Sequence, residues 1–145
     1  MNARKPFRFE KLEVWQAARQ FGGELYRPTR DWPAHEKFGL TAQLRRAAVS
    51  VSANIAEGSG RNSDRDFAHF LEQAYGSLME TASLLFLALD ASYLSERACE
   101  NLLDKADSIA RQLASLNRSL AVNAPKTPFA RKPAGSRPSS FDPRP

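Results

Sequence analysis

The chain has 145 residues, 42% of them hydrophobic, one cysteine and a formal net charge of +5. That length fits one domain with a real core, and the lone Cys99 excludes an internal disulfide framework and suits a reducing compartment. No apolar stretch approaches the roughly 20 residues needed to span a bilayer, and MNARKPFRFEKLEVW lacks the apolar core of a signal peptide, so a soluble cytoplasmic protein without a membrane partner is expected.

In chain order, residues 1–10 read as a basic N-terminal arm carrying Arg4, Lys5 and Arg8, with Lys11 beyond and Glu10 offsetting. Helix 1 is predicted from Lys11 to Tyr26, because Leu12, Trp15, Ala18, Phe21 and Leu25 recur at helical spacing, and Pro28 is expected to stop it. Gly22 and Gly23 each cost about 1 kcal/mol relative to alanine, and would allow a neighbouring helix to come close. The link that follows carries Trp32 and Phe38, an apolar pair expected to cover one end of the core.

Helix 2 is predicted from Leu40 to Ser59, with Gly58 and Gly60 ending it. At about 100° per residue, Leu40, Leu44, Ala47, Ala48, Val51 and Ile55 share one apolar face. Gln43, Arg46, Ser50, Asn54, Glu57 and Arg61 form a polar stripe beside it. An amide, a guanidinium, hydroxyls and a carboxylate among small alanines suit packed, hydrogen-bonded contacts, and the stripe reads as a structural polar seam in preference to a ligand or nucleic-acid site. Glu80, in Gly76-Ser77-Leu78-Met79-Glu80, is expected to meet the first half of helix 2 and to form a buried ion pair with Arg46, near Gln43 or Ser50.

After the turn Arg61-Asn62-Ser63, Ser63 is the N-cap of helix 3, with Asp64 and Asp66 in its first turn. Ser59, Arg61, Asn62 and Ser63 stand where a helix N-terminus can take an anion, although the glycines here follow a helix and lack the Gly-Lys-Ser/Thr of a phosphate loop. Helix 3 extends to about Ala91 with a wide apolar stripe that includes Phe67, Leu71, Tyr75, Leu78, Leu85 and Phe86. Ser95 caps helix 4, whose Leu102, Ala106, Ile109, Leu113, Leu116 and Leu120 follow the alternating steps of left-handed helix packing. Four long helices with short links, over residues 11–121, describe an all-α, up-down-up-down antiparallel four-helix bundle. Residues 122–145 read as a disordered Pro/Ser/basic tail that supplies four of the five net positive charges, with Arg131 and Lys132 at its centre. Basic ends of this kind bind polyanions without sequence preference, or serve solubility.

Catalytic chemistry is sparse. His69 with Glu72 is a single three-apart pair, so no metal and no cofactor is expected. Ser50 and Ser52 have no histidine within helical reach, and no catalytic residue is assigned. Glu10 with Glu13 and Asp104 with Asp107 leave a minor alternative, a Mg-dependent nucleotide hydrolase, should the bundle bring the two pairs together.

The same residues carry a family resemblance. Phe9 with Leu12-x-Val14-Trp15, Glu36-x-Phe38-Gly39-Leu40, Gln43-Leu44-Arg45-Arg46-Ala47, Ser50, Asn54-Ile55-Ala56-Glu57-Gly58, Phe67-x-x-Phe70-Leu71, Ala74-x-Gly76-Ser77-x-x-Glu80 and Tyr93-Leu94 resemble the four-helix-bundle family named for 23S rRNA intervening-sequence proteins. The likeness covers roughly Phe7 to Leu120. It implies a homopentameric ring with a central channel. The similar accessory variability determinant proteins of diversity-generating retroelements bind nucleic acid and a reverse transcriptase through a basic pentamer surface, whereas the body of this chain is nearly neutral. The expectation is therefore a non-enzymatic oligomeric accessory or scaffold protein that binds RNA or DNA. Its contact candidates are Arg4, Lys5, Arg8, Arg45, Arg61, Arg131 and Lys132. The alternative is a protein–protein interaction scaffold with no nucleic-acid role.

Overall fold

Apolar side chains spaced three and four apart share one face only in a helix, and burying that face requires other helices. The computed structural model describes residues 3–123. It has α1 (Glu13–Thr29), α2 (Leu40–Ser59), α3 (Asp64–Asp90) and α4 (Glu96–Asn123), with 3-10 turns at Arg8–Lys11 and Ala34–Glu36. Among the described residues there is no strand. The tail candidates Arg131 and Lys132 lie outside the described residues, and α4 runs on to Asn123, past the expected boundary at 121.

Each helix packs against its neighbours around a square, most loosely between α1 and α4, and the backbones of the diagonal pairs stay apart. Cross-helix contacts fix the directions. Arg8, ahead of α1, reaches Ser59 at the end of α2, Gly22 faces Ala48, and Thr29 meets Arg45. Gly58 lies against Phe67 and Phe70, Ser50 against Ser77 and Gln43 against Glu80. Cys99 sits on Leu85 and Lys105 pairs with Glu24. Every neighbouring pair is antiparallel, as an up-down-up-down bundle requires. Phe21, Leu25, Leu44, Ile55, Phe67, Leu71, Leu78, Leu85, Ile109 and Leu113 are fully buried. Each such side chain contributes roughly 1.5–3 kcal/mol on burial.

The helix ends follow local chemistry. Ser63 Oγ accepts the Asp66 N–H at 3.1 Å, and Ser95 Oγ accepts the Ala98 N–H at 3.1 Å. At the end of α3, Ser92 takes φ 62° while the Tyr93 N–H donates to the Ala88 carbonyl and the Ser92 N–H to the Leu89 carbonyl, both at 2.9 Å. This is a Schellman termination with serine where glycine is usual.

Three expectations change. Pro28 does not stop α1 but sits inside its last turn. So close to the end it removes one ladder bond, and Thr29 Oγ1 ties that turn by donating to the Leu25 carbonyl at 2.7 Å. Residues 3–12 are docked on the bundle: Phe7 stacks on Phe9, Phe9 packs on Trp15, and Arg8 donates to the Ser59 carbonyl. Of the apolar pair in the α1–α2 link, only Trp32 is buried, against Tyr93 at 5.5 Å, whereas Phe38 is 89% exposed.

Candidate functional site

A guanidinium is planar and weakly hydrated, so it stacks on aromatic faces while its N–H groups still point outward. Six Lys/Arg side chains lie over aromatic rings among the described residues. Cation stacking is a recurrent contact on this surface. Arg4 lies 4.9 Å from the Phe7 ring and makes two 2.8 Å bonds to Glu10. Arg8 lies 5.1 Å from Phe67 and donates to the Ser59 carbonyl at 3.1 Å, which neutralises the negative end of α2. Arg61 lies 4.6 Å from Phe70 and pairs with Glu57 at 3.1 Å. Arg45 lies 4.5 Å from Tyr26 and its Nε donates to Thr29 Oγ1 at 2.9 Å.

The fold divides these candidates. Arg4, Lys5, Arg8 and Arg61 share the end of the bundle formed by the N-terminal segment, the α2–α3 turn and the last turns of α4. Arg65, exposed in the first turn of α3 and missed in the sequence, joins them; its place beside Ser63 and Asp64 was the available signal. Arg45 belongs to the opposite half, beside the end of α1. Carboxylates interleave with the basic end. Arg4, and then the Phe7 N–H, hold the Glu10 carboxyl at a pKa of about 2. The anion position ahead of α3 is filled by the chain itself, since Ser63 takes the Asp66 N–H and Asp64 and Asp66 stand in the first turn.

A second constellation lies between α2 and α3. Small residues bring the two backbones together there: Ser77 Oγ donates to Ser50 Oγ at 2.9 Å, and Asn54 Nδ2 donates to Ser50 Oγ at 3.0 Å. Beside them opens a pocket of about 360 Å³, lined by Gln43, Arg46 and Ser50 of α2, Ser77 and Glu80 of α3, and Phe38 at its rim. The expected buried Arg46–Glu80 pair does not form. Both side chains are exposed, and Gln43 Nε2 reaches Glu80 Oε1 at 3.4 Å instead. Close contact through Ser50 and Ser77 leaves no room between the helices for long side chains, so these project to the rim. Glu57, also in the stripe, is exposed and turned to Arg61.

The carboxylate pairs are not brought together. Glu10 is taken up by Arg4 and Asp107 by Arg111, and α1 and α4 place the pairs at different heights of the bundle. Among the described residues no three His, Cys, Asp or Glu side chains converge on a metal-sized site. His69 contacts Gln73 through Nε2 at 3.1 Å. No helix among the described residues is long and apolar enough to cross a membrane.

The stripe on α3 is wider than the core uses. Tyr75, Met79, Phe86 and Leu87 are 41–52% exposed and share its outer side.

Comparison with known proteins agrees with this architecture. The profile of the family described as "23S rRNA-intervening sequence protein" matches residues 10–115. Among solved structures, a protein of unknown function from the S23 ribosomal protein family of Bacteroides thetaiotaomicron VPI-5482 is similar in fold. Its TM-score is 0.67 at 24% identity, over 72% of this chain and 95% of that one. No curated protein matches the sequence.

Proposed function

Since the chain belongs to the 23S rRNA-intervening sequence protein family, we propose that it is a non-enzymatic, homo-oligomeric accessory or scaffold protein that binds RNA or DNA. The observation that carries this reading is the basic end of the bundle, where Arg8 and Arg61 are held on Phe67 and Phe70 beside Lys5 and Arg65. Stacking fixes each guanidinium in advance, so less side-chain freedom is lost when its outward N–H groups meet phosphate. The chain also leaves α4 at this end, and the sequence beyond Asn123 carries Lys126, Arg131, Lys132, Arg137 and Arg144 against Asp142. The ring we propose is a pentamer, the assembly that the family resemblance implies, and the exposed apolar side of α3 supports burial between copies. Five copies of a modest basic surface then act together, through effective concentration rather than new contacts.

The test is fluorescence anisotropy with a structured RNA, titrated across salt, for the wild-type chain and an R61Q/R65Q variant. Both side chains are exposed, so the variant keeps its core. The variant is expected to bind more weakly and to lose about one unit of log–log salt slope per contact removed. An unchanged affinity and slope in a folded variant would remove the basic end from the reading. The same apolar α3 surface favours a second reading, a protein-interaction scaffold, which a salt-independent partner recovered by pull-down with no RNA binding would establish.

A further inference from the structure

We infer that the α2–α3 groove is a pocket for one unstacked base of a bound single strand, and that it selects guanine. The inference deepens the nucleic-acid reading and rests on it. Arg46 is the first observation. Arg46, like Arg27, Arg30, Arg65, Arg97 and Arg118, has no side-chain hydrogen bond, ion pair or aromatic contact among the described residues, and of these it is the one that lines this pocket, exposed at its mouth. It is a guanidinium available to a phosphate at the rim of a pre-formed hollow.

Phe38 is the second. Its ring is 89% exposed on the same rim, with Lys37 Nζ 5.5 Å from its centroid. An aromatic face beside cationic groups is the platform on which single-stranded nucleic acids stack an unpaired base. The third is Glu80. Gln43 occupies one carboxylate oxygen only through a 3.4 Å bond, so the carboxylate can still accept a pair of donors. Guanine alone offers two adjacent donors, N1–H and N2–H, on its pairing edge. Adenine, cytosine and uracil each set a donor beside an acceptor there, and that acceptor would face the carboxylate. The size agrees. About 360 Å³ lies at the small end of ligand pockets and suits one nucleotide, not a duplex. Arg46 stands 13 residues before Ser59, the last residue of α2, about 20 Å along the helix at 1.5 Å per residue, and Arg61 lies just beyond that end, so one extended strand can touch both the basic end and the pocket.

The test uses the full-length protein and two labelled probes, a 12-nucleotide oligouridylate and the same strand with one central guanosine. Wild type is expected to prefer the guanosine strand about tenfold, the discrimination of one good bidentate contact. E80Q is expected to reduce that preference below twofold, and F38A to weaken binding of the guanosine strand. Binding of both probes by wild type without preference, or a preference that survives in E80Q, overturns the pocket and leaves the basic end standing. Binding of neither probe at low salt overturns the pocket, and the nucleic-acid reading falls with it only where the structured RNA is not bound either. Sedimentation velocity is run on both variants. Loss of assembly in E80Q or F38A would make the groove a subunit contact, and would also overturn the inference.

Discussion

Gly58 shows how much one methyl group matters in this bundle. A Cβ built there would stand 2.6 Å from Phe70 Cβ and 3.1 Å from Phe67 Cδ1, so α2 and α3 can cross at this height only over a glycine. Gly76, inside α3, has nothing within 4 Å of the equivalent position. The two substitutions therefore act in opposite directions in urea denaturation. G58A is expected to destabilise by about 1–3 kcal/mol through overpacking, in spite of alanine's better helix propensity, whereas G76A is expected to stabilise by about 0.5–1 kcal/mol. Equal effects of the same sign would contradict the packing at Gly58. The caps at Ser63 and Ser95 were legible in the sequence because a cap depends on residues within one turn. The role of Gly58 was not, since glycine after a helix reads as a stop and its clash partners belong to the next helix. Arg46 and Glu80 were placed in the same groove correctly but in the wrong environment. Helical spacing says which residues share a side, not whether small neighbours leave a long side chain room to be buried.

Among elements, the N-terminal segment departs furthest from expectation. Its charges read as a free arm, but Phe7 stacks on Phe9, Phe9 packs against Trp15, and Glu10 gathers Arg4 and the Phe7 N–H. Those aromatics were the available signal. Docking of the segment is linked to pH through Glu10. Arg4 and the Phe7 N–H lower its pKa to about 2, whereas an unstructured glutamate titrates near 4.3. Protons thus bind more tightly to the undocked form. The contribution is complete above about pH 4.3 and is lost progressively as pH falls towards 2. An NMR titration of the Phe7 amide should give a midpoint near pH 2 that disappears in E10Q. A midpoint above pH 4 would mean that Arg4 and Glu10 do not engage in solution. α4 is the opposite case: Leu102, Ala106, Ile109, Leu113 and Leu120 are buried as their spacing required, because that pattern is local and regular.

For the whole molecule, helix number, order and direction were legible in the sequence, and the surface was not. Tyr75 and Phe86 carry the spacing of core residues, yet they stand outside the core with Met79 and Leu87. In the proposed ring this face is buried against other copies. Sedimentation velocity should then show a five-copy assembly that M79E/F86E reduces to single chains still helical by circular dichroism; a monomeric wild type would contradict the ring. In the proposed reading the folded end of the bundle is enough to bind nucleic acid, and the basic sequence beyond Asn123 adds to it. The most direct test is salt-titrated anisotropy with a structured RNA, for the full chain and for a chain ending at Asn123. Binding that falls steeply with salt and survives the truncation is expected; binding lost with the tail, or absent from both chains at low salt, would show that the folded end is not the binding surface.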